Sequence, residues 1–172
     1  MRAAIGLGSS LGDRRRALEV ACRRLGATPG LSLLAVSRWY RTPPLRGGSA
    51  RGWFLNGVAV VECALDAEAL LRVCRAIEAR AGRRRARFWG DRTLDLDVLV
   101  VEGTVRAGQS LVLPHPALRA RPFVWGPLLE VWPDVVDPKT GDRIGASELS
   151  GLPRPVRRGV CAIPRRVVPP VG

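Results

Sequence analysis

Polar and apolar residues alternate along Thr93-Leu94-Asp95-Leu96-Asp97-Val98-Leu99-Val100, the period-two pattern of a strand with one face in a core. The alternation predicts Thr93, Asp95 and Asp97 on one face and Leu94, Leu96, Val98 and Val100 on the other. Arg2 to Gly8 reads as a buried strand, closed by a Gly-Ser-Ser-Leu-Gly turn. Asp13 then caps a helix in which Leu18, Ala21, Cys22 and Leu25 recur at i, i+3, i+4 and i+7, ended by Gly26 and the Thr28-Pro29-Gly30 turn. Leu31 to Tyr40 is rich in β-formers and predicts a second strand. Arg41-Thr42-Pro43-Pro44-Leu45 cannot continue a central one, because proline donates no ladder hydrogen bond. Arg46 to Gly52 has three glycines and no apolar period, which reads as a loop. Phe54 to Cys63 is a third strand. Asp66 caps a second helix running to about Ala81, with Leu70, Val73, Cys74 and Ile77 as its apolar stripe.

The predicted order is β-α-β-β-α-β. It implies an α+β fold with a ferredoxin-like core, followed by a C-terminal extension of short strands and helices. Val105 and Leu111 to Leu113 are candidate short strands. Leu113-Pro114-His115-Pro116 is a stiff turn, and Ala117 to Arg121 and Pro127 to Val131 are candidate short helices, the second with proline in its first turn. The expected domain covers residues 1–150. Residues 151–172 turn to proline and arginine without periodicity and are expected to form an extended or disordered tail.

Composition narrows the class. With 172 residues and nearly half of them apolar, the chain is long enough for one full core, and no run approaches the ~18 apolar residues of a membrane span. A cytoplasmic location follows as an expectation. The chain has 28 basic against 15 acidic residues, a net charge of +13, and Lys139 is its one lysine. Such a balance suits a polyanionic partner, and equally a genome that favours arginine codons. Cys22, Cys63, Cys74 and Cys161 show no Cys-x-x-Cys spacing. The first three read as small core residues.

Two carboxylates two residues apart on a strand lie roughly 6–7 Å apart at Cα. They repel unless a cation sits between them. Arginine could fill that place, and so could a hard metal such as Mg²⁺. Two solvated aspartates on an outer face remain the structural alternative. Gly6-x-Gly8-x-x-Leu11 departs from a dinucleotide fingerprint at its third position, and there is no P-loop motif. Ser9, Ser10 and nearby amides could bind an anion, or serve turn chemistry alone.

Beyond this strand, candidate residues are spread through Thr42-Pro43-Pro44-Leu45, Phe54-Leu55-Asn56, Glu78, Arg83, Arg85, Trp89-Gly90-Asp91-Arg92, Pro114-His115-Pro116 and Arg121-Pro122-Phe123. The runs Tyr40-Arg41-Thr42-Pro43-Pro44-Leu45 and Trp89-Gly90-x-Arg92-Thr93-Leu94-Asp95-Leu96-Asp97 resemble the signatures of the 6-hydroxymethyl-7,8-dihydropterin pyrophosphokinase family of folate biosynthesis. The resemblance extends over roughly residues 2–140. It implies transfer of diphosphate from ATP to the pterin hydroxymethyl oxygen, by attack on the β-phosphorus with release of AMP. It also implies two Mg²⁺ ions on Asp95 and Asp97, with Arg83 and Arg92 alongside them in catalysis. Thr42, Pro43, Pro44, Leu45, Phe54, Asn56, Asp95 and Phe123 would take the pterin. Glu78, Arg83, Arg85, Trp89, Arg92, Val98, His115 and Arg121 would take ATP. The loops around residues 47–51 and 83–89 would close over the substrates.

Ser10, Phe88, Asp91 and Val112 depart from the residues usual in the family, and these departures bear on ATP binding and loop closure. The partners implied are small molecules, with a monomer expected and neither membrane nor nucleic acid. The alternatives are an RNA-binding ferredoxin-like module, which would carry aromatics at alternate positions on its central strands, and a catalytically weakened relative whose basic tail docks a partner.

Overall fold

The computed structural model of the protein describes residues 1–44, 47–82 and 90–144. Its elements are β1 (Arg2–Ser9), α1 (Arg14–Gly26), β2 (Leu31–Val36), β3 (Tyr40–Thr42), β4 (Phe54–Cys63), α2 (Ala67–Arg80), β5 (Asp95–Val101), β6 (Arg106–Ala107), β7 (Val112–Leu113) and α3 (Pro122–Val131). The main sheet has the order β2-β4-β1-β5, with β3 also paired to β4, and every pairing in it is antiparallel. The chain is thus α+β, and its sheet is covered on both faces.

Local chemistry accounts for the two long helices. Asp13 Oδ1 accepts the Arg16 N–H at 3.0 Å, and Asp66 Oδ1 accepts the Ala69 N–H at 2.7 Å, so each helix opens on a side-chain cap. Leu18, Ala21, Cys22 and Leu25 from α1 and Ala67, Leu70, Cys74 and Ile77 from α2 pack with Ile5, Leu7, Ala59, Val61, Leu94, Leu96 and Val98 on one sheet face. Cys22, Cys63 and Cys74 are buried thiols within this layer. A second layer on the other face joins Val58, Val60, Leu99 and Val100 to Trp125 and Leu128 of α3 and to Val135 and Ile144 beyond it. Full burial of each Leu, Ile or Val contributes about 1.5–3 kcal/mol.

Three readings of the sequence change. The segment from Leu31 to Tyr40 is two strands, because the pairing breaks at Ser37: its N–H still donates to the Val58 carbonyl at 2.9 Å, but the Val58 N–H is taken by its hydroxyl, also at 2.9 Å. Residues 37–39 thereby oppose only Gly57 and Val58, and Trp39 turns in over Gly57. The aspartate strand begins at Asp95, not Thr93, since the Arg92 and Thr93 carbonyls are taken by Ser10 N–H and Ser9 Oγ–H at 2.9 and 2.7 Å. Pro127 lies inside α3, which starts at Pro122 as its first residue, so one helix replaces the expected pair and residues before it form turns. The tail at 151–172 lies outside the described residues.

Strict alternation also fails within β5. Ala4 faces Val100 while Ile5 faces Val98, so Leu99 is the extra residue of a β-bulge. Val98 keeps the face covered by α1 and α2, Leu99 and Val100 turn to the face covered by α3, and Val101 returns to the first. The bulge also fixes the approach of the next segment, because the Leu99 carbonyl accepts the His115 N–H at 2.7 Å.

Candidate active site

Strand pairing builds the floor of the site. Gly8 of β1 stands between Asn56 of β4 and Asp95 of β5, and Gly6 stands between Val58 and Asp97. Two inter-strand spacings separate the outer strands, about 10 Å. With no side chain on the central strand, a groove remains between the amide of Asn56 and the carboxylates. A Cβ on Gly8 would lie 2.9 Å from Asn56 Oδ1. These glycines lack any special turn role, since both sit in regular strand. The signal for them was their own period of two, which puts Gly6 and Gly8 on the face shared by Asp95 and Asp97.

A cavity of about 250 Å³ stands over this floor, near the lower bound of small-molecule sites. Thr42, Pro43, Phe54, Asn56, Arg92, Asp95, Asp97, His115, Arg121 and Phe123 all line it. Ten of the residues singled out from sequence therefore converge from β3, β4, β5, the His115 turn and the start of α3. Besides the two glycines, Leu7, Ala50, Gly57, Val58, Gly90, Leu99 and Val124 line it too. Apart from Gly90, which belongs to the Trp89 to Arg92 run, these residues carry no chemical signal in the sequence, as they contribute shape.

Other expected residues lie elsewhere. Val98 is 2% exposed in the core covered by α1 and α2, because the alternation that turns Asp95 and Asp97 to the cavity turns Leu96 and Val98 away from it. Glu78 is buried on α2 and accepts the Leu96 N–H at 2.7 Å. Pro44 is half-buried and does not line the cavity. Val112 is exposed on β7. Leu45, Arg83, Arg85, Phe88 and Trp89 lie outside the described residues.

The polar groups in the cavity are organised. Asn56 Nδ2 donates to Thr42 Oγ1 at 2.6 Å, which directs its Oδ1 over Gly8. Arg92 Nη1 donates to Asp95 Oδ2 at 2.5 Å. Burial holds the Asp97 carboxyl above the usual carboxylate range and the Asp95 charge adds to this, while His115, Arg121 and Arg92 oppose it. His115 Nδ1 accepts the Ala117 N–H at 3.1 Å, so the neutral ring carries its proton on Nε2. Desolvation keeps this imidazole below its ordinary pKa against the pull of Asp97. Arg121 is the N-cap residue of α3 and offers no side-chain cap bond to the helix.

The Ser9-Ser10 turn is not an open anion nest. Ser10 N–H and Leu11 N–H both donate to the Arg92 carbonyl, at 2.9 and 3.2 Å, and Ser10 Oγ accepts the Arg92 N–H at 2.9 Å.

Among the described residues no three His, Cys, Asp or Glu side chains gather as a metal site. The two aspartates nonetheless suit a hard cation: one carboxylate is buried and strained by its neighbour's charge, and Mg²⁺ commonly takes only one or two protein carboxylates and completes its shell with phosphates and water.

Comparison with known proteins decides the family. A family model described as 7,8-dihydro-6-hydroxymethylpterin-pyrophosphokinase (HPPK) matches residues 4–133. The chain belongs to this family. Among curated HPPK proteins, the 2-amino-4-hydroxy-6-hydroxymethyldihydropteridine pyrophosphokinase of Methylorubrum extorquens is 47% identical over 135 residues, 78% of this chain and 85% of that protein. Its namesake from Pseudomonas aeruginosa is 37% identical over 134 residues, covering 78% and 82%. The Synechocystis protein of the same name is 36% identical over 142 residues, covering 83% and 72%. In structure the chain resembles a Plasmodium falciparum HPPK-DHPS triple mutant, with TM-score 0.60, 15% identity and coverage of 83% of this chain and 42% of that one. The chain thus spans about two fifths of that bifunctional structure, and at this identity the likeness is one of fold. Among the described residues, no helix is long and apolar enough to cross a membrane.

Proposed function

We propose that this HPPK-family chain transfers diphosphate from ATP to the hydroxymethyl group of 6-hydroxymethyl-7,8-dihydropterin, releasing AMP, in folate biosynthesis. The observation that carries the reading is the row Asn56–Gly8–Asp95 across three strands. It sets an amide that reads donors and acceptors about 10 Å from a carboxylate pair, a span suited to a flat bicyclic ring whose substituent points at the carboxylates.

Phe54 and Phe123 offer the ring apolar faces, and Thr42 fixes the Asn56 amide through the 2.6 Å bond. Asp95 and Asp97 would hold two Mg²⁺ ions, which when bound neutralise charge on the triphosphate. Arg92, Arg121 and His115 Nε2–H line the same cavity and supply donors to the transferring phosphates. Arg83, Arg85 and Trp89 are proposed to join them on the ATP side from outside the described residues. The chain's own part in catalysis is positioning and electrostatics, the main demands of phosphoryl transfer. Glu78 acts from behind the strand, and Val98 is left to backbone contacts.

The strand order supports reading the core as a ferredoxin-like βαββαβ arrangement with β3 as an added short strand. The RNA-binding alternative finds no support, because the cavity face of β5 carries carboxylates where aromatics would be needed.

A phosphorus NMR time course with Mg²⁺, ATP and the pterin tests the proposal. AMP appearing in step with pterin diphosphate is the expected result. ADP in its place, or no product, would overturn it.

A further inference from the structure

Asp91 does not itself line the cavity, and its carboxylate joins two segments that do. Its Oδ2 accepts the Arg51 N–H and its Oδ1 accepts the Gly52 N–H, each at 3.2 Å. Hydrogen bonding by these amides and by Ser10 holds the carboxyl below its ordinary pKa, so it is charged at neutral pH and both bonds are charge-assisted. The approach is close. A Cβ on Gly52 would meet Asp91 Oδ1 at 3.1 Å and the Ser10 carbonyl at 3.3 Å, so only glycine fits without displacement.

The residues next to the two partners matter most. Ala50, beside Arg51, and Gly90, beside Asp91, both line the cavity. Arg92, on the other side of Asp91, is fastened through its backbone to Ser10 at the end of β1. The 50–52 backbone is thereby tied to a segment that the sheet itself holds.

We infer that Asp91 is a positioning residue that latches the Ala50 wall of the cavity before substrate arrives. Ala50 lines the same cavity as Thr42, Pro43 and Phe54, the residues proposed to take the pterin, so the inference rests on that reading for its consequence in binding. An unlatched loop has to be ordered when the pterin enters, which weakens binding. Arg92 keeps its Ser10 and Asp95 bonds without Asp91, so the transfer step itself is less affected.

The test compares wild type with Asp91→Ala and Asp91→Asn by two readouts. The first is amide hydrogen exchange at Arg51 and Gly52 in the substrate-free protein. The second is the KM for pterin and for ATP alongside kcat. Faster exchange at both amides in Asp91→Ala, with a pterin KM raised by about three- to tenfold, an ATP KM unchanged and kcat within about twofold, is the expected pattern. Asp91→Asn, which keeps an acceptor oxygen, should fall between the two. Unchanged exchange at both amides in both variants would overturn the latch, as would faster exchange with no change in pterin KM. Exchange requires no turnover, so a wild type that fails to convert the pterin would count against the proposed function while the latch is still judged.

Discussion

Glu78 Oε1 accepts the backbone N–H of Leu96 at 2.7 Å, from the last turn of α2 to the strand that carries both aspartates. β5 is the outer strand of the main sheet on that side, and an amide on such an edge has no ladder partner. The buried carboxylate fills that place. Burial, with the charges of Glu78 and Asp97, pushes the neighbouring Cys74 thiol up to about 12. Removing the acceptor leaves a buried N–H unsatisfied, a cost of about 1–3 kcal/mol. Glu78→Ala should therefore lower stability by that amount in urea denaturation, whereas Glu78→Gln, which retains an oxygen, should lose clearly less. Equal stability of Glu78→Ala and wild type would show that the bond does not hold the strand.

Asp97 sits at a cost to the fold. Its carboxyl is raised by burial and by Asp95, so holding the charge there costs the metal-free fold stability. A raised carboxyl pKa means that the folded state binds the proton more tightly, and stability falls as pH climbs from the ordinary carboxylate value through the raised one. Asp97→Asn should raise the melting temperature of Mg²⁺-free protein at pH 7, with the gain shrinking as pH drops toward 4. The same variant should lose about a thousandfold or more in transfer, if the charge it removes is worth several kcal/mol to the bound metal. Calorimetry with and without EDTA checks the first part and the AMP assay the second.

The glycine floor makes a separate prediction. Gly8 lies between Asn56 and Asp95, and an added methyl would press on the Asn56 amide oxygen at 2.9 Å with Asp95 Cβ at 3.8 Å. The amide is the end of a side chain and can give way, so the fold should survive. The groove would narrow where the pterin edge is read. Gly8→Ala should raise the pterin KM by about tenfold, or 1.4 kcal/mol, with little change in melting temperature. An unaltered KM would mean that the ring does not cross the sheet at this row.

What was legible in the sequence follows from the range of the interactions. Helix caps at Asp13 and Asp66 and the stripes they precede are local, and both appear as read. The two aspartates and the cavity residues of the Thr42, Asn56 and His115 runs are legible through the resemblance of whole motifs, since each taken singly also fits a solvated face, ordinary packing or a turn. The Leu99 bulge was not, since nothing in an apolar run says which residue drops out of register. The break at Ser37 depends on a hydroxyl reaching Val58, a residue 21 positions away. Glu78 is placed with ATP by the resemblance, although it stands eight residues after Leu70 and one after Ile77, on the buried stripe itself. Pro127 reads as a helix start because proline lacks the N–H that an interior position uses, yet it lies inside α3, which another proline, Pro122, opens. Gly6 and Gly8 resemble part of a dinucleotide fingerprint in sequence, and their role emerges only from the strand face they share with the row of Asn56 and Asp95.

Tyr40 offers the last prediction, since it ties two walls of the site together from behind. Its hydroxyl donates to Glu130 Oε2 at 2.7 Å, and Glu130 Oε1 accepts both the N–H and the Nε–H of Arg38, at 3.2 and 3.0 Å. The cluster joins α3, which starts beside Phe123, to β3, which ends at Thr42. Burial and the Glu130 charge push the Tyr40 phenol up from 10.0 to about 12. A raised pKa stabilises the fold fully below the unfolded value and loses that contribution as pH rises through the folded one. Tyr40→Phe should thus be less stable than wild type by about 1–3 kcal/mol at pH 8, the range for a hydrogen bond to a charged group. The difference should close between pH 10 and pH 12, where wild type loses the phenolic proton and the variant has none to lose. A gap that stays constant across that window would assign the loss to packing of the ring, and the Glu130 bond would then have no part in holding α3 against β3.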